Sequence, residues 1–338
     1  MEKYETIIIG AGPGGLHCAQ KLAAAGRQVL VIEQKEIIGP KICGGGLTTK
    51  IMDLGIPKDL VEYFFHKPIQ YTPYQRVVVK TKEPSIATIS RERLGQWMAS
   101  EAQKQGAILE IGMRVTKIND NSVMIGNREI KFDYLIGADG SNSIVRRSLN
   151  IPMKKIGIGM HYITKQKFKY LKNFFDNKYF ASGYAWIFPY RNYTSIGVYG
   201  SPESISASEL RSNFHKWLKQ KNIDVADAKF EAASINCDYR GYKFDNMFLV
   251  GDAAGFTSSL TGEGMYFAMV TGAEVAKLII DPEYKPLKID QLLRVKRRHE
   301  TLARIIESAG VIRPVCFELF TFLLRNNTLR HKILKAFV

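Results

Sequence analysis

Apolar and polar positions along the chain predict a succession of strands and helices. Residues 6–9 and 29–32 are short, unbroken runs rich in Ile and Val, which suits strands buried on both faces. Between them residues 16–25 read as a helix, and Gly26 is a natural stop. Thr48 is placed to cap a helix carrying Ile51, Leu54 and Ile56 and continuing through residues 60–65. Residues 68–90 alternate as strands do, and Ser90 then suits the N-cap of a helix that closes at Gly106. Strands are expected at 108–111, 113–118, 123–125 and 130–136. From 153 to 240 the texture becomes strand-like and dense in aromatic residues, with one helix near 206–220 opened by the capping pair Ser206 and Glu209. A buried strand at 247–250 precedes a long helix of small residues through 264–280, and residues 289–338 read as helices rich in Lys and Arg.

The first strand runs into Gly10-Ala11-Gly12-Pro13-Gly14-Gly15, in which Gly10, Gly12 and Gly15 take the three places of G-x-G-x-x-G. The first glycine permits a tight turn, the second lets backbone approach a pyrophosphate, and the third lets the helix pack close to the strand. The N–H groups at the start of that helix face the phosphates, with Pro13 and Gly14 in its first turn. Glu33, followed by Gln34, ends the second strand about twenty residues on, where an acid accepts hydrogen bonds from an adenosine ribose. The acid favours an unphosphorylated ribose, hence FAD or NAD, and the fingerprint does not choose between them.

Composition narrows the picture only slightly. The 338 residues suffice for two domains, or for one with an insertion. Cys18, Cys43, Cys237 and Cys316 are scattered without metal-ligand spacing, so no metal is expected. A formal charge of +16 suits an anionic membrane surface or an acidic substrate, and no nucleic-acid motif accompanies it. No apolar run is long enough to span a bilayer and no signal peptide precedes the first strand, so a cytoplasmic location, peripheral on the membrane, is expected.

Two further motifs lie far along the chain, Asp139-Gly140 after the strand at 130–136 and Gly251-Asp252 after that at 247–250. With the N-terminal fingerprint they make the chain resemble the FAD-dependent oxidoreductases of the p-hydroxybenzoate hydroxylase type, over roughly residues 1–280. That resemblance implies an α/β fold: a Rossmann-like FAD-binding domain, an inserted antiparallel β-sheet substrate domain and a C-terminal helical segment. The corresponding bounds are 1–66 with 90–152 and 241–285, then 67–89 with 153–240, then 286–338. It further implies that Glu33 binds the adenosine ribose, that Arg91 reaches the phosphate or ribityl region, and that Val115 meets the adenine through its backbone. Asp139 and Gly140 would support the phosphates, Gly251 and Asp252 the ribityl chain, and the helix start at Gly262, Gly264 and Met265 the polar edge of the flavin. A second glycine fingerprint for a nicotinamide domain is missing, so electrons are expected from transiently docked NAD(P)H or from a reduced redox protein.

Lys41-Ile42-Cys43-Gly44-Gly45-Gly46 and Tyr184-Ala185-Trp186-Ile187-Phe188-Pro189, with Gly197 eight residues beyond, are similar to motifs of the geranylgeranyl reductase family. Where that family has a second glycine after Gly197, this chain has Tyr199, with Gly200 next. The resemblance implies a reductase of isoprenoid double bonds acting on a prenyl lipid or prenyl diphosphate. In it Lys41, Cys43, Gly44 and Gly45 lie by the flavin, and Cys43, Gly44, Gly45, Tyr184 and Trp186 by the reacting carbons. Tyr184, Trp186, Phe188 and Pro189 would line the substrate site. On a strand Tyr184, Trp186 and Phe188 share one face, as an apolar lining requires. A flavin monooxygenase or halogenase on the same scaffold, or a non-catalytic electron-transfer flavoprotein, are the alternative readings. Tyr184 and Phe188 depart from the W-x-W-x-I-P of flavin halogenases and favour the reductase.

Overall fold

The computed structural model describes residues 2–336. Met1 and residues 337 and 338, on which the outermost expected bounds fall, lie outside the described residues. The chain opens with β1 (Glu2–Ile9), α1 (Pro13–Ala24) and β2 (Val29–Glu33). β3 (Gly46–Thr48) leads through two 3-10 turns, Thr49–Leu54 and Lys58–Leu60, into β4 (Val61–Phe65), β5 (Ile69–Tyr71), β6 (Arg76–Val78) and β7 (Ile86–Ile89). Next come α2 (Arg91–Lys104), β8 (Ile108–Ile111), β9 (Lys117–Ile118), β10 (Ser122–Ile125), β11 (Arg128–Gly137) and α3 (Ile144–Ser148). The aromatic region holds β12 (Ile156–Thr164), β13 (Lys172–Phe174), α4 (Asn177–Phe180), β14 (Tyr184–Pro189), β15 (Thr194–Gly200), α5 (Ala207–Gln220) and β16 (Lys229–Asn236). β17 (Lys243–Phe244), β18 (Met247–Leu249), α6 (Gly251–Ala254) and α7 (Met265–Ile280) return to the first domain. α8 (Leu287–Ser308), a turn at Gly310–Ile312, α9 (Arg313–Leu323) and α10 (Asn327–Ala336) follow.

β18, β11, β1, β2 and β8 lie side by side in parallel, with β17 antiparallel at the edge. Ile8 and Val31 point into one core with residues of α1, α2 and α7, whereas Ile7, Ile9, Leu30 and Ile32 point into a second core on the opposite face. Two covered faces explain the unbroken apolar runs, and each such side chain contributes roughly 1.5–3 kcal/mol of burial. β1 lies where the strand order turns back, which puts its glycine turn in the crevice where doubly wound sheets bind ligands.

The second sheet, ordered β16-β12-β15-β14-β13-β5-β6, is antiparallel except for β13 with β5. Leu210, Phe214 and Trp217 of α5 cover one face, and Trp186, Phe188 and Tyr199 stand on the other. A small sheet, β3-β7-β4, lies between the two in sequence. The expected α/β architecture with its inserted sheet and C-terminal helices is therefore present. The stretch 67–89 divides, since β5 and β6 join the aromatic sheet and β7 the small one.

Two local expectations fail. Residues 49–65 are not one helix: Gly55 adopts φ +85° and ends the first turn, Pro57 starts another, and Val61–Phe65 pairs with β7. Thr48 caps nothing with its side chain and instead donates from Oγ1 to Glu263 Oε1 at 2.7 Å. Of the strand expected over 113–118 only Lys117–Ile118 forms, because Gly112 and Met113 donate instead to the carbonyls of Lys35 and Glu33.

α1 and α7 cross at close range. A Cβ on Gly272 would overlap the carbonyl oxygen of Gly14, and one on Gly14 would come within 2.9 Å of the Ala268 oxygen. His17 Nδ1 donates to the Met269 carbonyl at 2.9 Å across the same crossing. α8 lays Ile289 and Leu292 against the sheet's second face and buries Lys296, whose Nζ donates to the carbonyls of Cys237 and Thr257. Among the described residues no helix is long and apolar enough to cross a membrane, and no His, Cys, Asp or Glu cluster is placed to hold a metal ion.

Candidate functional site

The glycine turn is open at one position and closely packed at the others. Gly10 has φ +103°, and a Cβ there would lie 2.5 Å from the Ala138 oxygen; one on Gly15 would overlap the Gly10 carbonyl. At Gly12 a Cβ would meet only the Ala138 oxygen at 3.7 Å, so open space lies above it. Gly12 is the N-cap of α1 and Pro13 its first residue, with no side chain capping the free N–H groups. Glu33 stands beside the turn, its Oε2 accepting from Ala11 N at 2.8 Å and its Oε1 from Lys35 N at 3.0 Å. Gln34 is exposed next to it, and Val115 sends its side chain into the core beneath the sheet.

Two more turns converge here. Asp139 Oδ2 accepts from Ile144 N at 2.6 Å, while Oδ1 is buried with no partner, and burial raises the carboxyl's pKa against the opposing hydrogen bonds. Gly140 follows at φ +76°. Asp252 accepts from Lys41 Nζ at 2.8 Å and from Thr257 Oγ1 at 2.7 Å. Burial works to raise its pKa, yet Lys41 and Thr257 prevail and hold it below the ordinary value. Gly251 N donates to Thr271 Oγ1, which pins the turn to α7. Asn236, unmarked by any motif, donates to the Asp252 carbonyl and accepts from Asp238 N, while its own N–H reaches Ser141 Oγ. Arg91 carries a buried Nε without a partner. The partnerless Arg91 Nε, the space above Gly12 and two helix starts free of side-chain caps, at Gly12 and Gly264, fit an anionic dinucleotide with a polar ring.

Beside this cradle lies a cavity of about 1080 Å³. Of the residues singled out in the sequence, Pro13, Lys41, Cys43, Gly44, Gly45, Arg91, Tyr184, Trp186, Phe188, Asp252, Gly262, Gly264 and Met265 form its wall. Gly10, Gly12, Gly14, Gly15, Glu33, Gln34, Val115, Asp139, Gly140 and Gly251 do not, and neither does Pro189, whose carbonyl accepts from Thr88 Oγ1.

The triple glycine is explained by what it lies against. Tyr184, Trp186 and Phe188 form a row with ring centroids 6.2 and 5.9 Å apart. A Cβ on Gly44 would come within 3.0 Å of the Trp186 indole, one on Gly46 would overlap Phe188, and one on Gly45 would overlap the Tyr190 hydroxyl. From the other side Gly197 lies against the same indole, where a Cβ would overlap its ring. Trp186 is thus held between two glycines, and the loop carrying Cys43 rides on the aromatic row. Cys43 is half-buried, with Sγ accepting from Gly45 N at 3.3 Å.

The indole edge is also fixed. Trp186 Nε1 donates to Ser195 Oγ at 3.0 Å, Ser195 Oγ lies 2.9 Å from His161 Nδ1, and His161 Nε2 lies 3.0 Å from Glu231 Oε2. An indole only donates and a carboxylate only accepts, so Nε2–H donates to Glu231 and the serine hydroxyl donates to Nδ1. Burial lowers the pKa of His161 in spite of Glu231, which favours this neutral ring. Burial acts to raise Glu231, but hydrogen bonds from Lys229 and His161 leave it below its ordinary value. Sequence reasoning missed these three residues; only strand register brings them together, with His161 opposite both Gly197 and Glu231, and Phe188 opposite Ser195. Glu263, on the wall and with its pKa raised by burial against the Thr48 hydrogen bond, was also missed. Its place between Gly262 and Gly264 was the available signal.

At the far end the wall is supplied by Leu302, Ile306, Phe317, Phe320 and Leu324. Phe175 links the row to these helices, 5.7 Å from Tyr184 and 5.4 Å from Phe317 between ring centroids. Glu318 fastens α9 to the β5–β6 hairpin, accepting from Thr72 Oγ1 and Gln75 Nε2.

Residues 3–283 match the family described as FAD binding domain. An uncharacterised protein of Methanosarcina barkeri is 30% identical over 295 residues, covering 82% of this chain and 75% of its own. Digeranylgeranylglycerophospholipid reductase 1 of Methanosphaera stadtmanae is 25% identical, over 94% of this chain and 85% of its own. Among solved structures, a geranylgeranyl bacteriochlorophyll reductase-like protein of Thermoplasma acidophilum superposes with a TM-score of 0.82 at 18% identity, covering 99% and 96% of the two chains. The flavin-dependent brominase Bmp2 superposes less closely, with a TM-score of 0.67 at 17% identity over 99% and 93%.

Proposed function

This chain belongs to the FAD binding domain family, among relatives named as geranylgeranyl-type reductases, and we propose that it saturates carbon–carbon double bonds of isoprenoid chains on lipids or prenyl diphosphates. The observation that carries the proposal is the large aromatic cavity that continues from the dinucleotide cradle to the C-terminal helices. A prenyl chain offers no polar handle along its length, so a site must hold it through apolar and aromatic area.

Bound FAD would supply the hydride, with NAD(P)H or a redox protein as the source of its electrons. The turn from Gly10 to Gly15, Glu33, Arg91, Asp139 and Asp252 would hold the cofactor, and Lys41 favours the ionised form of Asp252. The row of Tyr184, Trp186 and Phe188 orients the chain and excludes water. An unactivated alkene accepts hydride poorly, so orientation and a well-placed proton carry the rate. Cys43 Sγ, on the loop over the aromatic row, and the Glu263 carboxyl, whose pKa burial raises, stand on the same wall and are the groups placed to deliver that proton.

The test is anaerobic. The holoenzyme is reduced with dithionite, then mixed with geranylgeranyl diphosphate or a geranylgeranylated glycerolipid, and lipid mass is followed. Reoxidation of the flavin with gain of two hydrogens per reduced bond is the expected result. Oxygenated or halogenated product on admitting air, with no gain of hydrogen under nitrogen, supports the monooxygenase or halogenase reading instead. The Cys43→Ala variant should retain FAD and lose about 100-fold in rate; an unchanged rate removes Cys43 from proton delivery.

A further inference from the structure

Helix α9 is apolar on two opposite faces. One face, with Phe317 and Phe320 and with Leu324 at the C-cap, closes the end of the cavity. On the other, Val315, Leu319 and Phe322 follow at i, i+4 and i+7 and stand 64, 55 and 57% exposed. Val311 and Ile312, in the turn just before, extend the stripe at 95 and 60%. Five large apolar side chains in one continuous patch mark an interaction surface rather than ordinary scatter. The cavity reaches the surface close by in sequence: Ile305 and His331 belong to its wall and are themselves exposed.

Charge indicates the occupant. Between residues 304 and 332 the chain carries Arg304, Arg313, Arg325, Arg330 and Lys332 against only Glu307 and Glu318. Both acids are engaged within the molecule, Glu318 by Thr72 and Gln75 and Glu307 by Ser201. Arg325 lies 5.8 Å from the centre of the Phe322 ring, Arg304, Arg325 and Lys332 are exposed, and the whole chain carries +16. An apolar stripe with an arginine at its end, on a strongly basic chain, suits an anionic bilayer, where each basic residue near the surface adds to apolar insertion. An acidic protein would match the charge but not a stripe of apolar side chains beside a lipid-sized cavity.

We propose that Val311, Ile312, Val315, Leu319 and Phe322 seat on the surface of an anionic lipid bilayer. α9 then lies in the interface with membrane on one side and cavity on the other. A lipid-borne chain enters past it at Ile305 and His331 without crossing water. The purpose of this docking rests on the isoprenoid reading; the docking itself is tested apart from it.

The holoenzyme is sedimented with vesicles of phosphatidylcholine alone and of phosphatidylcholine with phosphatidylglycerol, beside a variant carrying Val315→Ser, Leu319→Ser and Phe322→Ser. Wild type should partition to the anionic vesicles at least about tenfold better than to neutral ones, and the variant should lose about tenfold. The variant's FAD content and its turnover of substrate in detergent micelles should be unchanged, since none of the three residues lines the cavity. Equal partitioning of variant and wild type overturns the proposal. So does a dimer in solution that the substitutions dissolve, with no vesicle binding, because the stripe then serves a second copy. Vesicle binding without any alkene reduction leaves the docking standing and removes the reductase reading, and micellar turnover without vesicle binding does the reverse.

Discussion

Ser195 shows how much one hydroxyl determines. It accepts from the Trp186 indole and donates to His161, so removing it strands two buried polar atoms at once. Ser195→Ala is expected to cost about 1–3 kcal/mol in denaturant unfolding and to loosen the indole, seen as a change in the Trp186 share of the emission spectrum. An unchanged midpoint and spectrum would mean that Gly44 and Gly197 alone hold the ring. The glycines of the fingerprint and the acid Glu33 were legible because their spacing along the chain is itself the requirement. Ser195, His161 and Glu231 were not, because they lie on three strands and meet only through register. Asn236 was hidden for a related reason: its partners, Ser141 and the Asp252 carbonyl, come from two distant turns.

Among elements, the pair α1 and α7 sets the position of the dinucleotide turn. Gly272→Leu drives a side chain into the Gly14 carbonyl and is expected to cost about 1–3 kcal/mol or more, with loss of bound FAD, measured as Tm and flavin content of the purified protein. Gly26→Ala serves as the contrast: Gly26 has φ +76° but open space around it, so only about 1–2 kcal/mol of backbone strain is expected and the flavin should stay. Equal flavin loss in both would show that the crossing has no special role. The first strand, α1 and the capped starts at Ser90 and Ser206 could be read directly, since each rests on local pattern and both serines accept from the backbone as expected. Residues 49–65 misled because their apolar spacing fits a helix as well as turns followed by a strand. The deciding interaction, pairing of β4 with β7, lies some twenty residues away.

At the scale of the whole molecule, two buried histidines make stability depend on pH. Burial pushes His17 and His299 down to about 4 from the usual 6.5. Between those values the unfolded chain binds more protons than the folded one, so stability rises with pH and is lost as pH falls through the window. Each contributes on the order of 3 kcal/mol at most, present in full above pH 6.5. Denaturant midpoints should therefore fall between pH 7 and pH 4.5, and a flat profile there would contradict neutral burial of both rings. The same His17 bonds to Met269 across 252 positions of sequence. During synthesis at about 5–20 residues per second, α1 leaves the ribosome on the order of 10–50 s before its partner α7 exists. Through that interval the side of α1 that will meet α7 is uncovered, so the glycine turn takes its final packing only once residues near 270 have been made.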